Sequence, residues 1–222
     1  MKLRWLFSSL IIVFAGFTGT NSYTQAVLRD TLSPLKTIKT AEASPAVSPS
    51  LTISSEGMGA ARLGMTLGQL KQVLGPNTEF RVQSPFMVDF NAIAVIQNQE
   101  VQYYILYPDG SNLTDADTIE FLLTDNPKYR TAQGIGPGTP LKEAESVHGK
   151  ANLFYSNDDE MREYVSFGNL RDQNIIFRSS RLSPTPSRQF SGIYASPPAS
   201  SPRQETSQYR EDASIGMVSV MR

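Results

Sequence analysis

The sequence contains no cysteine and a single histidine, and its 20 Lys and Arg against 21 Asp and Glu leave a formal charge of −1 at pH 7. Without cysteine there is no thiol nucleophile, no thiolate metal site and no disulfide, so an extracytoplasmic form of this chain must hold its fold by its core alone. A lipid anchor of the bacterial type, which needs a cysteine directly after the cleavage site, is excluded by the same absence. With His148 as the one imidazole, a His-based metal centre would have to take all its other ligands from carboxylates or carbonyls. A near-neutral chain also lacks the long-range field that draws a protein to nucleic acid.

A bilayer span needs roughly 20 apolar residues, and the apolar run from Trp5 to Phe17 is shorter than that. Preceded by Lys2 and Arg4 and followed by Thr24-Gln25-Ala26, with small residues at the −3 and −1 positions, it has the form of a secretory signal. Residues 1–26 are therefore read as a signal peptide, which places the chain in the periplasm or outside the cell, with membrane contact only through this segment. Residues 27–50 are largely Ser, Pro, Thr, Ala and Lys without an apolar period. Such a stretch cannot bury enough surface to offset its ordering entropy and reads as a disordered linker.

What the chain does have is a helical signature written twice. Gly64-Met65-Thr66-Leu67-Gly68-Gln69-Leu70-Lys71-Gln72-Val73-Leu74-Gly75 recurs as Gly138-Thr139-Pro140-Leu141-Lys142-Glu143-Ala144-Glu145-Ser146-Val147-His148-Gly149, an offset of 74 residues that aligns Gly64 with Gly138, Leu67 with Leu141, Val73 with Val147 and Gly75 with Gly149. An internal repeat of this length predicts two related helix-plus-sheet units, residues 51–125 and 126–222, the second carrying Pro/Ser-rich loops around Ser183 to Ser187 and Ser196 to Ser207. Thr66 and Gln69 have capping-box form, Gly75-Pro76 a stop signal, and Thr139-Pro140 a capping hydroxyl beside a helix-opening proline. Leu67, Leu70, Val73 and Leu74, then Leu141, Ala144, Val147 and His148, form the apolar stripes.

The first unit opens with Leu51-Thr52-Ile53, and runs rich in β-branched and aromatic residues predict strands at Phe90 to Ile96, Val101 to Tyr107, Ile119 to Leu123, Glu163 to Phe167, Asn174 to Arg178, Phe190 to Tyr194 and Ala213 to Val220. The fold class that follows is α+β, tandem units of short helices packed on antiparallel β-sheet, after a signal peptide and linker. The window Leu63 to Pro76 resembles the opening of small outer-membrane assembly lipoproteins of the BamE/SmpA type and of the tandem-repeat β-lactamase inhibitor proteins. In those families a Gly-Met-Thr turn starts a helix that ends in Leu-Gly and packs on an antiparallel sheet. The resemblance implies a non-enzymatic protein that presents a sheet face or loops to a partner.

Residues with chemistry are few, and no catalytic, cofactor-binding or metal residue is assigned. His148, at the end of the second helix, is expected to favour the helix dipole or to pack on the sheet. Asp109 to Glu120 carries acidic residues at the first and twelfth positions of a calcium-type loop, but leucine and threonine occupy the fifth and sixth, so a solvated loop is expected. Asn157-Asp158-Asp159-Glu160 reads as a solvent-facing turn, and Gly134-Ile135-Gly136-Pro137-Gly138 as a turn before a helix rather than a phosphate loop. Tyr103, Ile105 and Tyr107 project to one face of their strand, Tyr104 and Leu106 to the other. One set should lie under the helices; the other is either an interaction surface or covered by the second unit.

The functional expectation is an exported, non-enzymatic module for an envelope or secreted protein partner, without cofactor and without nucleic acid. The alternative is an exported hydrolase in which Asp115, Asp117, Asp158 or Glu160 converge in a cleft.

Overall fold

Glycine and proline at fixed points divide this chain into short helices and long hairpins. The computed structural model describes residues 50–170, 174–180, 190–195 and 202–222. The segments read as signal peptide and loop Ser183 to Ser187, with nearly all of the linker, lie outside these residues.

Strands β1 (Thr52–Ser54), β2 (Gly57–Met58) and β3 (Ala61–Arg62) join β8 (Arg130–Thr131) in a small sheet of order β3-β2-β1-β8. Helix α1 (Leu67–Leu74) precedes β4 (Glu79–Met87), β5 (Phe90–Gln97), β6 (Glu100–Pro108) and β7 (Phe121–Thr124). Helix α2 (Leu141–His148) precedes β9 (Ala151–Ser156), β10 (Tyr164–Phe167), β11 (Ile175–Ser179), β12 (Arg203–Thr206) and β13 (Ile215–Met221). The nine strands from β4 to β7 and β9 to β13 form one antiparallel sheet of order β12-β9-β10-β11-β13-β7-β6-β5-β4. The class is thus mixed α+β, with two α-helices and a dominant antiparallel sheet among the described residues. Within Ala46–Arg222, which forms a single compact unit, one buried cluster draws on both helices and both runs of strands: Leu67 and Leu70 with Ile93 and Val95, Leu141 and Ala144 with Leu153 and Phe177.

Each helix is introduced by the same hydrogen bonds. Before α1, Gly64 N–H donates to Ile119 O (2.8 Å), Ile119 N–H to Met65 O (2.8 Å) and Leu67 N–H to Asp117 O (3.0 Å). Before α2, Gly138 N–H donates to Ile215 O (2.7 Å), Ile215 N–H to Thr139 O (2.8 Å) and Leu141 N–H to Ala213 O (2.9 Å). The terminating glycines match as well, Gly75 at φ 71°, ψ −177° and Gly149 at φ 78°, ψ −176°, a region essentially reserved for glycine.

The helix starts differ in one respect from expectation. Thr66 and Gln69 do close a reciprocal capping box (2.8 and 3.1 Å). Thr139, however, does not cap α2: Pro140 occupies the N-cap position, and the Thr139 hydroxyl accepts from Gly136 N–H (3.0 Å), tightening the turn before the helix. The stripes also narrow. At about 100° per residue Val73 falls about 120° from Leu67, whereas Leu74 falls within about 20° of it; Val73 and Val147 are accordingly 63% and 43% exposed.

Three strands of the nine-stranded sheet lie where none was expected. β4 and β9 are polar-apolar alternations beside the helix stops, and β12 falls in the stretch read as a polar loop. Conversely Phe190 to Tyr194 is no strand; its described backbone makes a single bridge, Gly192 to Tyr209. The strand expected from Ile119 begins at Phe121, because Ile119 is committed to the helix-start bonds.

Candidate functional site: the sheet face opposite the helices

Alternation along the strands sets two faces. Tyr103, Ile105 and Tyr107 of β6 are buried on the helix face. Tyr104 stands half-buried on the other face, while Leu106 on that face is 3% exposed. This face is thus buried at Leu106 and partly open at Tyr104.

Across this face runs a continuous band of aromatic, methionine and arginine side chains. At one end the Arg203 guanidinium lies 3.8 Å from the centroid of Phe154, which stacks on Tyr164 at 5.5 Å. Arg178 lies 5.9 Å from the Tyr164 centroid, and its Nη1 is 3.9 Å from the Sδ atoms of both Met87 and Met217. Beyond the methionines, Phe86 packs on Tyr104 at 4.8 Å. Pairing explains the alignment: Tyr164 stands opposite both Phe154 and Arg178, and Arg178 opposite Met217. Phe86 reaches the face because the β4–β5 register breaks between Gln83 and Met87, turning Ser84 to Phe86 out of the ladder.

A groove of about 590 Å³ opens along this band, lined by Phe86, Met87, Glu160, Arg162, Arg178 and Met217. Arg162 is held there by ion pairs to Asp159 (2.9 Å) and to Glu160. Burial alone would lower the guanidinium pKa, but the Glu160 and Asp159 interactions outweigh it and raise the value. Burial also raises the Tyr164 and Tyr104 phenols, with Asp159 and Asp125 adding to the effect. The band thus sets aromatic rings beside the guanidinium groups of Arg178 and Arg203.

The carboxylate cleft that the hydrolase alternative requires does not assemble among the described residues. Asp115 binds Lys71 (2.6 Å), Asp117 accepts from Thr114 N–H (2.7 Å) and its hydroxyl (2.6 Å), and Glu160 pairs with Arg162. Bonds from the Thr114 hydroxyl and N–H hold the Asp117 carboxyl below its usual pKa. Asp158 lies on the turn Asn157–Asp159, its N–H donating to Ser156 Oγ (3.2 Å). In the calcium-like loop Asp109 accepts from Asn91 Nδ2 (3.0 Å) and Glu120 from the Thr118 hydroxyl (2.9 Å), so its oxygens face different partners. Among the described residues no group of three or more His, Asp or Glu could hold a metal. The Gly134 to Gly138 segment is a turn closed by Gly134 N–H to Thr131 O (2.9 Å) and Thr139 N–H to Gly136 O (3.0 Å).

His148 takes the stripe position that Leu74 takes in α1. Its buried ring packs at 5.7 Å from Phe167 and 6.4 Å from Phe177, and its Nε2 has no hydrogen-bond partner. Burial lowers its pKa, so at neutral pH it is an uncharged core ring and the dipole role is not filled.

One buried carboxylate escaped the sequence reading. Glu163, at the start of β10, accepts from Gly192 N–H (2.8 Å) and the Tyr194 hydroxyl (2.8 Å) on Oε1, and from Ser191 N–H (2.8 Å) and the Ser179 hydroxyl on Oε2. Burial, then Glu163 itself, drives the Tyr194 phenol far above its ordinary pKa. These bonds fasten residues 190–194 to β10 and β11, aided by Phe190 stacked on Tyr155 at 4.3 Å. With both oxygens occupied by donors, Glu163 is a structural clamp. Nothing in the local sequence marks it, since its donors come from segments 16 to 31 residues away.

No family model matches the sequence, and no curated protein does. Among solved structures the chain is similar to the crystal structure of the uncharacterized protein yfeY from Escherichia coli, at 16% identity and a TM-score of 0.46, over 77% of this chain and 99% of that one.

Proposed function

We propose that this chain is an exported, non-enzymatic protein-interaction module whose partner docks on the sheet face opposite the helices. The observation that carries the reading is the band Arg203, Phe154, Tyr164, Arg178, Met217, Phe86 and Tyr104, spanning that face from β12 to β4. Aromatics, Met and Arg are the residue types enriched at protein interfaces, where they supply large contact area at low entropic cost. Lysine is missing from the band. The targeting signature at residues 1–26 supports an envelope or secreted partner.

The platform itself is read as a duplicated unit. The 74-residue offset that aligns the helices carries Gly64 to Gly138 and Gly75 to Gly149 with matching bonds and backbone angles. The last strands follow an offset of 96, carrying Ile119 to Ile215, and that offset maps Leu123 onto Ser219, the residue it pairs with. Such self-equivalence is what a local two-fold between two related units produces. The helix-start windows also support placing the chain with the assembly lipoproteins and tandem inhibitors.

The test is capture of partners from the native envelope fraction with the wild-type chain and with Tyr104→Glu and Tyr164→Glu variants. The reading expects a specific protein retained by the wild type and lost by both variants, with their circular dichroism unchanged. Retention indifferent to these substitutions, or no retained protein, would overturn it.

A further inference from the structure

We infer that the outer edge of β4 is a self-association surface, pairing antiparallel with β4 of a second copy of this chain about Phe80. β4 is the last strand of the nine-stranded sheet, and among the described residues no strand covers its outer edge. From Glu79 to Gln83 it runs in unbroken register against Ile96 to Ala92 of β5. A bulge and a proline, two of the devices that blunt natural edges, come only after this stretch, at Ser84 to Phe86. The row of five residues before them offers unpaired backbone groups and a β-branched residue, Val82, that is 61% exposed.

The side chains choose the partner and the register. An antiparallel pair of identical edge strands is related by a two-fold perpendicular to the sheet, which keeps faces matched and so places the axis on a residue. Centred on Glu79 or Arg81, the pair sets like charges directly opposite, which is destabilising. Centred on Val82, it leaves Arg81 facing Gln83. Centred on Phe80, it sets Glu79 of each copy opposite Arg81 of the other, twice by symmetry, with the rings of Phe80 meeting at the axis. Glu79 and Arg81 already lie on one face, 2.8 Å apart and each more than half exposed, so the second copy turns an ion pair within one strand into a four-charge ladder.

The helix side fits the same register. It sets Val82 of the second copy opposite Thr78, at the rim of the groove lined by Gly75, Pro76, Thr78 and Phe80, and thereby covers an apolar side chain that the single chain leaves out. A net charge of −1 adds little repulsion between copies.

Sedimentation velocity of the 222-residue chain over a concentration series tests the inference, with Glu79→Arg, Arg81→Glu and the double swap. A reversible dimer is expected. Each single reversal creates two like-charged pairs and should weaken it by about tenfold or more, and the double swap should restore it to within about twofold. Association through any other surface, the N-terminal apolar run included, would ignore the swap. A chain that stays monomeric at all concentrations, a dimer indifferent to the single reversals, or a double swap that does not restore it would each overturn the inference. Val82→Lys, which keeps the strand and its charge pair, should also weaken the dimer; an unaffected dimer counts against it.

Discussion

Leu123 in β7 stands opposite Ser219 in β13, both buried on the sheet face away from the helices. This pair joins the strands that follow α1 to those that follow α2, and makes one sheet of what would otherwise be a four-stranded and a five-stranded sheet. Leu123→Ala should therefore cost about 3 kcal/mol, the usual size for emptying a fully buried leucine site. Because both sets of strands share one core, urea unfolding should shift as a single transition, followed equally by far- and near-ultraviolet circular dichroism. Two separated transitions would show that the halves unfold independently.

Glu163→Ala removes the acceptor for two buried backbone N–H groups and two part-buried hydroxyls. Unsatisfied donors of this kind make the expected loss about 3 kcal/mol. The loss should be local in its first effect, with protease cleavage around residues 190–194 accelerated under native conditions. An unchanged cleavage pattern would rule out the clamp.

His148 links stability to acid. Its folded pKa lies below the ordinary 6.5, so between the two values the unfolded chain binds more protons than the folded one. Stability is then full above pH 6.5 and falls as the pH drops below it. His148→Leu, which copies the residue found at the matching place in α1, should remove this part of the acid sensitivity while leaving neutral-pH stability equal or higher, since the unpartnered Nε2 disappears. Denaturant titrations at pH 7 and pH 5 on both proteins decide it; equal pH dependence would contradict the assignment.

The two helix-ending glycines offer a matched comparison. At Gly75 an added Cβ meets nothing within 4 Å, so Gly75→Ala reports backbone strain alone, about 1–3 kcal/mol for this region of φ and ψ. At Gly149 the same strain is joined by a contact 2.8 Å from Asn169 Nδ2. Thermal melts should rank Gly149→Ala as the less stable of the two, by a margin that shrinks if Asn169 is first changed to Ala.

Much of the frame was legible from local chemistry. Glycines at positive φ, the Thr66 to Gln69 box and the aromatic and β-branched runs of β5 and β6 act within a few residues, so periodicity and capping rules find them. β4 and β9 were missed because their local patterns are too mixed to stand out; β4 is held at the sheet edge by β5 alone, and β9 by β12 and β10 on its two sides. Thr139 was misassigned because a proline beside it suggested a helix start one residue early, whereas its hydroxyl found the Gly136 amide instead.

By itself the sequence determined two glycine-bounded helices, a sheet-rich α+β body, the absence of thiol chemistry and a near-neutral charge, all properties of composition or of spacing within one helical turn or one hairpin. Only the tertiary structure decided the rest: the bulge that swings Phe86 against Tyr104, the cross-strand contacts that align Tyr164, Arg178 and Met217, and the distant donors that converge on Glu163. Those depend on register between strands far apart in the chain, and register is set by the packing of whole faces rather than by any local signal.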